Sequence, residues 1–156
     1  MIGNDFSKAL LVLHALLALA MGGAATHLLL VTLGIQRADR VFASKVRLTR
    51  IYSQVTGWLF TATLLIGAVV YPTYRYFVRG LFLDRYAPWA SNLFDFKENI
   101  AAAAAPFAAG LVLLGRRFDG NDPEVRLTLA VCAFVVFAAV AFDIISGLVI
   151  VSVRSV

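Results

Sequence analysis

The chain has 156 residues, of which 61% are hydrophobic and 15% charged, with a mean hydropathy of +0.84 and a formal net charge of +5. A soluble domain is nearer half apolar and a quarter charged, and this one could not hide so much apolar side chain behind a polar surface. Soluble, disordered and disulfide-rich secreted classes are excluded. The basic excess falls between long apolar runs, so it points to anionic lipid headgroups rather than nucleic acid.

The first apolar run, Ala9–Ile35, follows Lys8 and is about twice as long as a signal-peptide core, so it is read as a retained span. It carries His14 and His27. Their thirteen-residue spacing is roughly 20 Å along a helix, a distance that suits two haems stacked across a bilayer. The same spacing turns the second ring by about 220°, so the two histidines face different ways. Bis-histidine ligation of two haems also needs four histidines, and the chain has two. A single b-type haem, held by one of these residues or shared across a subunit interface, is the candidate cofactor. Small neighbours, Ala18 and Gly23, would let a macrocycle or a helix approach closely. The competing readings are histidines hydrogen-bonded within a helix bundle, or a proton relay.

A basic loop, Gln36–Arg50, leads to the second run, Ile51–Val70. This run is more polar than a lipid-facing helix requires. Gln54, Trp58 and Thr61 follow helical spacing and are predicted to line the bundle interior. The next segment, Tyr71–Lys97, mixes aromatics with arginines and is predicted to be a long amphipathic loop at headgroup level. Pro72 and Pro88 bracket a short helix within it, Thr73–Asp84. It serves either as an aromatic anchor or as a docking surface or lid.

The third run, Ile100–Gly115, is short and recruits the residues before it from about position 97. Asp95 is its predicted cap, and Lys97, Glu98 and Asn99 form a polar mouth. The alanines of 101–105 favour close helix packing, and Pro106 predicts a kink by freeing the Ala102 carbonyl. Arg116, Arg117, the turn signal DGNDPE and Arg126 then precede the fourth run, Leu127–Val153. Cys132 has no intrachain disulfide partner and is read as inert packing. Asp143 is the only acid well inside a span. No basic residue is expected at its depth, so it is read as neutral, hydrogen-bonded or paired with another subunit. Its roles are then structural bonding, a proton or ion path, or a subunit contact.

Continuous rather than alternating runs favour helices over a barrel. The expected fold is an all-α, integral membrane four-helix bundle, one transmembrane domain with spans about 9–35, 51–70, 97–115 and 127–153. The density of basic residues places the first and third loops in the cytoplasm and both termini outside, in a bacterial inner membrane. No Walker A, GxGxxG, GxSxG, HExxH or CxxC motif occurs, so no catalytic or metal-ligating residues are assigned. Two functions are carried forward. One is a small membrane subunit of a larger energy-transducing or electron-transfer complex, with a candidate haem at His14 or His27. The other is an oligomeric transporter or channel-like protein with a proton or ion path at Asp143, Gln54 and Thr61. The expected partners are the lipid bilayer and other membrane subunits or further copies of the chain.

Overall fold

The computed structural model describes residues 4–34 and 41–153. In chain order the elements are α1 (Asn4–Leu33), α2 (Phe42–Thr73), a π-helical segment (Tyr74–Leu83), α3 (Asp84–Tyr86), α4 (Pro88–Arg117) and α5 (Pro123–Val153). Four helices are long and apolar enough to cross a membrane. The 30 residues of α1 extend about 45 Å, well beyond the roughly 30 Å of hydrocarbon, so helix ends reach the headgroup layer.

Each helix begins before its apolar run. The basic loop is largely the start of α2, because no glycine or proline interrupts the chain between Phe42 and Arg50. Lys45, Arg47 and Arg50 are therefore helical, while Gln36, Arg37 and Arg40 lie outside the described residues. The segment 71–97 is not a loop. α2 runs straight into the π-helical segment, which starts two residues after Pro72. The missing proline N–H leaves the Ala68 carbonyl without its helical partner. The chain reverses at Ala87 (φ −147°, ψ 61°), and Pro88 opens α4, where its fixed φ suits a first helical turn.

This hairpin is held along its length. The Arg79 guanidinium grips the Asp95 carboxylate with both Nη atoms, one bond being 2.8 Å. Its Nε lies 3.6 Å from Asp84 Oδ1, to which Ser91 Oγ also donates. Tyr74 stacks on Phe94 with centroids 4.2 Å apart. Asp95 is thus an ion-pair partner rather than a helix cap, and Ala87 takes the cap position.

The four long helices close a ring: α1 packs on α2, α2 on α4, α4 on α5 and α5 on α1. Leu28, Phe60, Ala108, Leu111, Val136 and Val140 fill the centre. Large apolar side chains such as Leu16, Leu30, Leu113 and Leu148 point outward, as a lipid-facing surface allows. The α2–α4 seam is tight. A Cβ on Gly57 would sit 2.3 Å from Val112 Cγ2, and one on Gly115 would sit 2.5 Å from Ser53 Cβ. At the loop end, Lys45 Nζ donates to the Gly34 carbonyl (2.6 Å). The α4–α5 turn follows its sequence signal. Gly120 adopts φ +79°, and Asp122 Oδ1 accepts from the Glu124 (2.8 Å) and Val125 (3.3 Å) N–H groups to cap α5.

Candidate functional site

Three helices each bring one ionisable side chain, His14, Lys97 and Asp143, toward the same end of the bundle. His14 stands ten residues into α1, and Asp143 ten residues from the end of α5. His14 Nδ1 bonds to the backbone carbonyl of Thr63 on α2, at 3.0 Å. A carbonyl only accepts, so Nδ1 carries the hydrogen and Nε2 keeps its lone pair. The α2 backbone lies against the ring, since a Cβ on Gly67 would be 3.1 Å from His14 Cε1.

Lys97, on α4, lies within electrostatic reach of both His14 and Asp143. Its Cε approaches Gly147 on α5, 3.7 Å from where a Cβ would be, and its Nζ lies 5.8 Å from the Phe94 ring centroid. The expectation of no cation near Asp143 is therefore corrected. The cause is the start of α4: it begins nine residues before Lys97 and carries that side chain into the bundle. The proline opening a helix at Pro88 was the signal that could have found it.

Asp143 is half-buried, and among the described residues no donor reaches its buried Oδ1. Lys97 is close enough to act on it but does not close to a salt bridge. The Ser146 hydroxyl turns back to the carbonyls of Phe142 (2.7 Å) and Asp143 (3.3 Å) rather than to the carboxylate. Among the described residues Ser7, Thr49, Ser53, Thr56 and Tyr74 also carry a buried oxygen without a partner, so what sets Asp143 apart is that its group ionises inside a span.

The other expected residues stand apart from this cluster. His27 is exposed on the outer side of α1, its ring edge against Tyr52 at 4.2 Å. Gln54 bridges helices, donating from Nε2 to the Val112 carbonyl (2.7 Å) and accepting from Arg116 Nε (3.3 Å). Thr61 is exposed and bonds back to the Gly57 carbonyl (3.0 Å). The predicted interior face of Gln54, Trp58 and Thr61 is thus corrected: Trp58 is 56% exposed, and Ser53, Thr56, Phe60 and Thr63 face inward.

His14 does not fit a haem. A macrocycle ligated at His14 Nε2 needs the space beside Cε1, which the α2 backbone at Gly67 fills. The Lys97 charge within reach of His14 is also not what an apolar macrocycle slot contains. No group of three metal-binding side chains occurs among the described residues.

Fold and site together define an all-helical transmembrane bundle with an ionisable cluster in its interior. Comparison with protein families, with curated proteins and with solved structures finds no match.

Proposed function

We propose that this chain is a small membrane subunit that carries protons through an intramembrane relay made of His14, Lys97 and Asp143. The observation that carries the reading is Lys97 within electrostatic reach of both His14 and Asp143, so that three helices each bring one ionisable group into a span region where it is expensive. A purely packing role is met more cheaply by neutral residues. His14 Nε2 and the Asp143 carboxylate each take up and release one proton, and the Lys97 ammonium, within reach of both, biases which carries it. The relay serves a proton-coupled transporter or an energy-transducing assembly. A lone four-helix bundle is too small for an alternating-access cycle, so gating requires further copies or other membrane subunits. The loop ends, rich in Lys45, Arg47, Arg50, Arg116, Arg117 and Arg126, face the cytoplasm, in a bacterial inner membrane with the termini outside.

The test is proton flux into vesicles reconstituted with the protein, driven by an imposed potential and read by an entrapped pH dye. Flux above that of protein-free vesicles is expected. Asp143→Asn keeps the shape but cannot ionise, and should lower flux on the order of a hundredfold with incorporation unchanged. Equal flux in both proteins, or none in either, contradicts the reading.

A further inference from the structure

A second polar feature lies at the opposite end of the bundle. Phe42, Ala43, Val46, Arg47, Arg50 and Asp119 line a cavity of about 420 Å³ between the start of α2 and the α4–α5 turn. Its floor is fixed by the turn. Phe118 is buried against Val46 with Phe42 beside it, and a Cβ on Gly120 would meet Val46 Cγ2 at 2.6 Å and Phe42 Cζ at 2.8 Å. Its rim carries two guanidinium groups. Arg50 is anchored by its Nε to the Phe118 carbonyl, leaving its remaining N–H groups to the rim. Arg47 is exposed, and among the described residues no hydrogen bond or ion pair engages it. Asp119 turns its carboxylate into its own turn, accepting from Asn121 N (2.9 Å) and Nδ2 (3.2 Å).

Below Arg47 runs an apolar track. Ile51, Val55 and Trp58 follow it at helical spacing on the same face of α2, and they are 44%, 39% and 56% exposed. A cationic fork over an apolar floor, heading a lipid-facing stripe that descends toward the midplane, has the layout of a phospholipid. We infer that the cavity binds the phosphate headgroup of an anionic phospholipid, with an acyl chain along Ile51, Val55 and Trp58. The planar guanidinium of Arg47 matches two phosphate oxygens at once. Phe42 and Val46 receive the glycerol and the roots of the chains. A free phosphate ion would meet the arginines but leave both the floor and the track unused.

Trp58 reports on the track. The test uses a Trp89→Phe background, so that Trp58 is the sole indole, in vesicles containing acyl-brominated phosphatidylglycerol or phosphatidylcholine at equal mole fraction. The anionic lipid should be preferred in quenching about fivefold, the value of roughly one arginine at a membrane surface. Arg47→Gln should bring the preference to about one. Ala43→Leu, which fills the cavity with charge unchanged, should lower it too. Arg117→Gln, at the same end but outside the cavity, should keep it, and excess inorganic phosphate should not compete. Equal quenching by the two lipids overturns the inference, as does a preference that survives Arg47→Gln, is lost in Arg117→Gln, or yields to inorganic phosphate.

Discussion

His14 and His27 share a helix and a residue type, yet their surroundings separate their expected behaviour. His14 is tied to the Thr63 carbonyl and lies near Lys97, whereas His27 is exposed beside Tyr52. His14→Phe should lower stability by about 1 kcal/mol, the net worth of a buried hydrogen bond, and should abolish proton flux. His27→Ala should leave flux intact. Denaturant titration in detergent and the vesicle assay check the two effects separately. Asp119 gives a pH-dependent contrast outside the membrane. Hydrogen bonds from Asn121, first from its backbone N–H and then from its side chain, hold the Asp119 carboxyl below the usual carboxylate range. A lowered folded value means that the contribution is present above the unfolded value of about 3.9 and is lost as pH falls through the folded one. Asp119→Asn should therefore unfold at a slightly lower temperature than the parent at neutral pH and at the same temperature in strong acid. Thermal melts at the two pH values decide it.

At the scale of elements, glycine separates tight seams from open ones. Gly57 and Gly115 sit where a Cβ would overlap the facing helix, while Gly23 has nothing within 4 Å of that position. Gly57→Ala or Gly115→Ala should cost about 1–3 kcal/mol by overpacking the α2–α4 seam. Gly23→Ala should be neutral or stabilising by up to about 1 kcal/mol, through helix propensity alone. Melting temperatures of the three variants test the contrast. The same seam explains what the sequence made legible. Four continuous apolar runs are enough to identify four helices, because a span needs length and hydropathy and little else. Their ends are harder to read, since near headgroups a helix accepts charge and aromatics without stopping; hence Lys97, expected in a polar mouth, instead reaches Gly147 on α5. The inward face of α2 was misread for a related reason. In lipid the large residue, Trp58, faces outward, and the small hydroxyl residues Ser53, Thr56 and Thr63 pack inward. Polarity alone does not reveal that choice. His14 and Asp143 are legible as rare intramembrane ionisable residues, but their common neighbour Lys97 requires the course of the hairpin that turns at Ala87.

For the whole molecule, the two ends of the bundle differ in chemistry. One carries the basic start of α2 and the lipid cavity, and the other the hairpin bound by Arg79, Asp84 and Asp95. Cysteine labelling in a Cys132→Ala background tests their orientation at Ser44 and Asn92, both exposed; Ser91 is buried and bonded to Asp84 and would report poorly. Asn92 should label from outside intact cells and Ser44 should not. The relay itself is tested most directly by infrared difference spectroscopy of the reconstituted protein between acidic and alkaline buffer. The expected result is a protonated-carboxyl stretch that appears on acidification, disappears in Asp143→Asn and changes frequency in Lys97→Met. A difference spectrum that Asp143→Asn leaves unaltered would contradict the account, because Asp143 would then hold one protonation state and could pass no proton.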